Sequence, residues 1–148
     1  MRKWLHLVVG ISFGAALFLP VFDWTFKQAQ EATLSFHLKG LSYSSSPGNI
    51  VSQMDNQALF WLTIALGALH LALAFAKLTP LLLQKLYNAS ALLSSALIFS
   101  IVVTSYRAEN SITMDVAERI PGLGAWILAL AWLGSLFLYF RYRKQTIS

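Results

Sequence analysis

Four apolar runs, each long enough to cross a lipid bilayer as a helix, dominate the pattern of hydrophobic and polar positions along the chain. They cover residues 4–22, 57–76, 86–104 and 122–140. A helical run of this length reaches about 30 Å, which is the thickness of the hydrocarbon core of a bilayer. The sequence therefore predicts an all-α membrane protein, with a single four-transmembrane-helix bundle over residues 1–148.

The segments between the apolar runs carry most of the polar residues. They are predicted to form an outer loop at 23–56, an inner loop at 77–85, a second outer loop at 105–121 and a tail at 141–148. Pro121 and Gly122 precede the fourth run and mark the start of its helix. The first run follows a basic leader, as in a signal peptide, but it is longer than the roughly 7–15 residues of a signal-peptide core. We expect a retained helix.

Lysine and arginine are distributed unequally between the two ends of the predicted bundle. Seven lie at the end that holds both termini and the inner loop, whereas four lie in the outer loops together with all six acids. Because cytoplasmic loops are enriched in Lys and Arg, the predicted orientation places the N and C termini in the cytoplasm. Compact loops and simple basic flanks favour the bacterial inner membrane as the location.

The outer loops contain two segments in which apolar and polar residues alternate. One covers residues 33–39, and the other includes Ile112, Met114 and Val116. A period of two is typical of a half-buried strand. We therefore predict that both outer loops contribute to a small extracytoplasmic β element, with a bulge at Gly40 and a turn at 44–49.

Composition agrees with a membrane location and excludes several kinds of chemistry. Apolar residues make up 57% of the chain and charged residues 11%, far from the balance of a water-soluble domain. The chain has no cysteine, which excludes disulfides and thiol chemistry. The paired loop cysteines typical of claudins and tetraspanins are therefore absent.

His70 is the intramembrane polar candidate, because it lies well inside the second apolar run. It could be a metal or haem ligand or a proton relay, but one histidine makes a poor metal site. We expect instead a packing hydrogen bond to Ser94 or Ser95 in the next helix. His6 is expected to lie close to the cytoplasmic edge and not to share a haem with His70.

Small and hydroxyl residues at helical spacing are candidates for helix packing. The candidates are Gly10 and Gly14 in the first helix, Ala68 and Ala72 in the second, and Gly134 in the fourth. They favour either a dimerisation face or packing within the bundle. The third helix carries several hydroxyls, which either line a solute path or bond to the backbone of their own helix.

No catalytic motif, cofactor site or metal site is predicted, and the outer acids Asp23, Asp55, Asp115 and Glu118 are expected to be solvated loop charges. The sequence favours a non-enzymatic accessory or interaction protein that recognises a membrane or secreted partner, with homo-oligomers also open and nucleic acid excluded. The alternative is an oligomeric channel or transporter for ions or small solutes. The candidate partner-facing residues lie in the first outer loop: Phe36, His37, Lys39 and Tyr43.

Overall fold

A computed structural model of the chain describes residues 2–27, 33–38, 41–43, 57–110 and 116–147. In these ranges the chain forms four helices and four strands. In chain order they are α1 (Arg2–Ala16), β1 (Phe22–Phe26), β2 (Thr33–Phe36), β3 (Leu41–Tyr43), α2 (Gln57–Phe75), α3 (Pro80–Asn110), β4 (Val116–Pro121) and α4 (Leu123–Ile147).

The helices pack as a four-membered ring in which each contacts two neighbours. α1 lies against α2 and α4, and α3 completes the ring by contacting α2 and α4. In the described part of the chain, α2, α3 and α4 are long and apolar enough to cross a membrane. Much of the surface is apolar: Phe18 is 83% exposed and Leu92 is 72% exposed. Exposed apolar surface of this extent marks contact with a membrane or with another protein.

The first helix is shorter than the apolar run predicted at 4–22. α1 ends at Ala16 and spans about 22 Å, which is less than the hydrocarbon thickness. Pro20 has no N–H to donate to a helix, and the next residue, Val21, donates its N–H to the carbonyl of Phe36 at 2.7 Å. The last two residues of this run therefore bond to the sheet or belong to it, instead of extending α1.

The other helices extend beyond the predicted spans. α2 agrees with the prediction to within one residue, but α3 begins at Pro80 and ends at Asn110 instead of covering 86–104. Proline is favoured at the first helical position, so Pro80 starts the helix that was expected to begin after Lys85. α4 likewise continues through the basic residues to Ile147, because lysine and arginine extend from a helix end into water without breaking it.

The strands form one antiparallel sheet in the order β3-β2-β1-β4. The predicted sheet between the two outer loops is confirmed, since Phe22 of β1 pairs with Pro121 of β4 and Trp24 pairs with Arg119. β2 covers the first part of the predicted strand at 33–39. The expected bulge at Gly40, the turn at 44–49 and the alternating residues 112–115 lie outside the described residues.

The inner face of the sheet packs on the end of the bundle. Trp24 is fully buried, and its Nε1 donates a hydrogen bond to Glu109 Oε2 at 3.3 Å, near the end of α3. Arg119 donates to Ser105 Oγ at 2.8 Å and forms an ion pair with Glu109 at 3.4 Å. Its guanidinium also lies 4.2 Å from the centre of the Phe22 ring. The sheet is thus joined to α3 by both apolar and polar contacts.

The start of α4 lies directly against the chain that leaves α1. The N–H of Gly124 donates to the carbonyl of Pro20 at 2.8 Å, and the N–H of Gly122 donates to that of Val21 at 2.9 Å. A Cβ atom at Gly124 would lie 2.7 Å from the Pro20 oxygen, so this approach requires glycine. The predicted helix start at Pro121 and Gly122 is confirmed to within two residues, because α4 begins at Leu123.

Candidate functional site: a buried polar chain

The two histidines of the first two helices lie on the sides that face the bundle. In α1 the buried positions are His6, Val9, Gly10, Phe13 and Ala16, spaced three or four residues apart. This spacing places them on one helical face. His70 occupies the corresponding face of α2, and both imidazoles have no exposed surface.

The imidazoles contact each other and continue into a hydrogen-bonded series, here called the polar chain. His6 Nδ1 lies 3.1 Å from His70 Nδ1, and His6 Nε2 lies 2.8 Å from the Tyr87 hydroxyl. On the other side, His70 Nε2 lies 2.8 Å from Ser90 Oγ, which lies 2.8 Å from Ser135 Oγ. The polar chain therefore joins all four helices through five side chains.

The polar chain has two self-consistent hydrogen-bond directions when both imidazoles are neutral. A neutral imidazole has one N–H and one bare nitrogen, so only one of the two facing Nδ1 atoms carries a hydrogen. If His6 Nδ1 donates, its Nε2 accepts from Tyr87, and His70 Nε2 donates to Ser90. In the opposite pair of tautomers each of these bonds reverses. Passage from one direction to the other shifts each hydrogen by one site, so it requires a proton taken up at the Tyr87 end and one released at the Ser135 end.

Aromatic rings enclose the two imidazoles. Phe13 stacks on His70 with ring centroids 6.0 Å apart, and Tyr87 stacks on His6 at 5.5 Å. Phe13 and Tyr87 are themselves buried. Because an unpaired polar group is costly in such surroundings, these hydrogen bonds hold the four helices in one mutual arrangement.

The two ends of the polar chain differ. Tyr87 lines a polar cavity of about 240 Å³ at the end of the bundle that holds both termini, together with residues that include Gln84 and Arg143. Towards the opposite end, the next serine of α3, Ser94, donates to the carbonyl of Ala91 at 3.2 Å. Within the described residues the polar chain consequently stops at Ser135, inside the bundle.

One sequence expectation about the histidines needs correction, and the contact of His70 with His6 was not expected. His70 does form an interhelical hydrogen bond, but its partner is Ser90 and not Ser94 or Ser95. His6 contacts His70 directly, because α1 already begins at Arg2 and His6 lies on its buried face. In the sequence, the spacing of His6 to Gly10 and Phe13 indicates that the three residues share one helical face.

The remaining hydroxyls of α3 mostly bond to the helix itself. Ser95 donates to the carbonyl of Ala91 at 2.8 Å, and Ser105 donates to that of Val102 at 2.9 Å. Ser94 and Ser95 agree with the expected bonding to the backbone of the same helix, whereas Ser90 belongs to the polar chain. Ser95 additionally accepts a hydrogen bond from Trp132 Nε1 at 3.0 Å, which links α3 to α4.

The small-residue candidates separate into packed and unpacked positions. A Cβ at Gly10 would lie 3.1 Å from the Gly67 carbonyl oxygen of α2, and a Cβ at Gly134 would lie 2.6 Å from Val9 of α1. These two glycines permit close helix contacts. A Cβ at Gly14 would meet no atom within 4 Å, so this position does not itself require glycine.

Ala68 and Ala72 do not contribute to packing inside the bundle. Both are exposed on α2, on the side away from the buried face that carries His70. Of the two alternatives for these alanines, their exposure favours a dimerisation face over packing within the bundle. A contact with a second molecule stays a prediction.

The candidate partner-facing residues of the first outer loop are only partly accessible. Phe36 is fully buried against the inner face of the sheet, in edge contact with Trp24, so it cannot contact a partner. His37 is half-buried. The backbone of Tyr43 belongs to β3, while its side chain and Lys39 lie outside the described residues.

The outer acids do not form a recognisable metal centre in the described part of the chain, where no group of three or more His, Cys, Asp or Glu side chains converges. Asp23 accepts a hydrogen bond from Ser35 across the sheet, and Glu118 is exposed on β4. Asp55 and Asp115 lie outside the described residues.

Comparison with known proteins finds no relative: no family model, no curated protein and no solved structure matches the chain.

Proposed function

We propose that this chain is a non-enzymatic polytopic membrane protein that recognises a partner protein through the open edge of its sheet. The proposal rests on the position of β4 at the edge of the sheet. This strand stands at one end of the sheet, and its residues from Ala117 to Pro121 are all exposed. Its backbone pairs with β1 along one side only among the described residues.

An exposed strand edge is a surface that other proteins use. Unpaired N–H and C=O groups along an edge can pair with an added strand from a partner, which provides affinity through main-chain hydrogen bonds. Alternate side chains then provide specificity. On β4, Glu118 and Ile120 pair with Thr25 and Asp23 on the outer face of the sheet. A partner strand would meet a polar, acidic face with one apolar side chain.

The bundle serves in this proposal as the membrane anchor. Its exposed apolar side chains would contact lipid, and α1 would cross the bilayer together with the apolar residues that lead to β1. The excess of Lys and Arg at the end with both termini supports a cytoplasmic position for that end. The sheet would then lie on the outer face of a bacterial inner membrane, where it meets membrane or secreted proteins.

Site-specific photo-cross-linking in intact cells tests the recognition surface. A photoreactive residue at Ala117 should yield one discrete protein adduct, because this position lies on the open edge. The matched control is Leu130, which is 66% exposed on α4 but away from the sheet. The same adducts at both positions, or only lipid adducts at Ala117, would contradict recognition through β4.

A second candidate function is proton transfer by an oligomer, and the polar chain is the observation that favours it. A proton taken up at Tyr87 would shift each hydrogen of the polar chain by one site, and Ser135 would have to release its own hydroxyl proton. Because the polar chain stops inside the bundle, flow across the membrane would need a path supplied by a second copy. Proton flux into proteoliposomes that is lost in His70→Leu would support this function, whereas equal flux in both proteins would exclude the polar chain as the path.

A further inference from the structure

The described part of the chain has a groove between α3 and α4. It consists of two adjoining cavities, of about 240 and 350 Å³, which share Asn88 and Tyr139 in their walls. The first cavity lies at the end of the bundle that holds both termini. The second continues from it towards the middle of the helices.

The first cavity has the chemistry of an anion-binding pocket. Its lining includes Gln84, Asn88 and Arg143, whose amide and guanidinium groups are hydrogen-bond donors. Arg143 Nη1 donates to the Tyr139 hydroxyl at 3.4 Å, which places the charged group beside the cavity. Charge-assisted hydrogen bonds from arginine are the usual means by which proteins bind phosphate.

The surroundings of this pocket reinforce its attraction for anions. The sequence places seven Lys and Arg residues and no acid at this end of the bundle. The pocket is also held open by a fixed wall, since the Tyr142 hydroxyl donates to the Pro80 carbonyl at 2.8 Å and its ring packs on Tyr87 at 5.0 Å. An arriving phosphate would therefore meet preformed partners.

The second cavity suits an acyl chain. Ala91, Leu92 and Leu136 contribute apolar walls, and Ser95 lies at its far end with its hydroxyl already bonded to Ala91 and Trp132. Along the axis of α3, Gln84 and Ser95 are about 16 Å apart, close to half of the roughly 30 Å hydrocarbon core. With Gln84 at the head-group level, the groove would extend to about the middle of the hydrocarbon core.

The exposed amide of Asn88 stands at the junction of the two cavities. A polar amide that faces hydrocarbon is costly unless an occupant supplies a hydrogen-bond acceptor. The ester oxygens of a glycerophospholipid lie between phosphate and acyl chain, at the corresponding level. Polar head, ester region and acyl chain therefore each have a matching part of the groove.

We propose that the groove between α3 and α4 binds one anionic glycerophospholipid, with its phosphate at Arg143 and one acyl chain between Leu92 and Leu136. The inference goes beyond partner recognition and rests only on the membrane location. It concerns a specific lipid site in the leaflet at the end with both termini, distinct from the general lipid layer around the bundle.

Native mass spectrometry of the whole protein in mild detergent tests this site. The protein would be stripped of lipid and titrated with phosphatidylglycerol, or with phosphatidylcholine of the same acyl chains. We expect one tightly bound phosphatidylglycerol, and Arg143→Gln should weaken its binding roughly tenfold through loss of charge-assisted hydrogen bonds. Arg141→Gln is the matched control, because Arg141 is exposed on the same helix but does not line the groove.

A second variant tests the acyl-chain part. Leu136→Trp narrows the groove at a half-exposed position and should reduce phosphatidylglycerol binding while helicity by circular dichroism is unchanged. Equal binding of both lipids, or equal losses in Arg141→Gln and Arg143→Gln, would show a general lipid layer and overturn the proposal. Displacement of phosphatidylglycerol by millimolar inorganic phosphate would overturn it as well, in favour of a site for a free anion.

Discussion

The direct contact between His6 and His70 predicts that their contributions to stability are coupled. His6→Leu removes the partner of the His70 Nδ1 atom as well as the bond to Tyr87. His70→Leu removes the partner of the His6 Nδ1 atom as well as the bond to Ser90. In the double variant no imidazole loses a partner, because both are gone. The double variant should therefore be less destabilised than the sum of the single variants.

The expected size follows from the burial of both rings. Removing one partner of a buried polar group costs about 1–3 kcal/mol. Hydrogen bonds within membrane bundles are worth about 0.6 kcal/mol on average and up to about 1.7 kcal/mol. Each single substitution should therefore lower the free energy of unfolding by about 1–3 kcal/mol. The loss of unfolding free energy in the double variant should be smaller than the sum of the two single losses by about 1 kcal/mol. This difference lies within the range seen for residues in one hydrogen-bond network.

The measurement is reversible unfolding in mixed micelles of a mild detergent and dodecyl sulfate, followed by tryptophan fluorescence. A control cycle combines His70→Leu with Ser105→Ala, since Ser105 lies at the opposite end of α3 and bonds to Val102 and Arg119. This control should be additive to within about 0.5 kcal/mol. If the His6 and His70 substitutions are equally additive, the two imidazoles do not share a hydrogen bond and the polar chain as described is refuted.

The contacts of the glycines and of the sheet predict two further outcomes. Gly124→Ala should lower the free energy of unfolding by about 1–3 kcal/mol, because its Cβ would meet backbone oxygens. Gly14→Ala should raise it by about 0.5–1 kcal/mol, because a Cβ at this position meets no atom and alanine favours a helix. Equal shifts of the thermal midpoint in the two variants would contradict these contacts. Glu109→Gln should destabilise by no more than about 1 kcal/mol at low salt and less at high salt, because its ion pair with Arg119 is partly exposed. Unfolding at two salt concentrations measures this difference, and a loss that does not change with salt would refute the ion pair.

The sequence alone predicted those features that depend on local pattern. Unbroken apolar runs identified α2 and α4 and the interior of α3, because only a helix satisfies its own backbone over such a length in hydrocarbon. Alternation identified β2, and the turn residues before Leu123 identified the start of α4. His70 was identified as the polar group inside a span because a single imidazole in an apolar run is conspicuous.

The tertiary structure alone decided which sides of the helices meet. α2 is apolar on all sides, so the pattern does not distinguish the face towards lipid from the face towards protein. For this reason the exposure of Ala68 and Ala72 and the choice of Ser90 over Ser94 could not be read from spacing. The contact between His6 and His70 joins residues 64 positions apart, and it depends on the rotation of both helices.

The end of α1 at Ala16 also depends on tertiary contacts. The first apolar run continues to Phe22 in the sequence, but the backbone of Val21 bonds to Phe36 and Gly122 in the folded chain. Pairing with β4, about a hundred positions away, competes with continued helix for the same backbone groups. Local pattern thus determined which segments enter an apolar environment, whereas long-range hydrogen bonds determined where the first helix stops and which polar side chains meet inside the bundle.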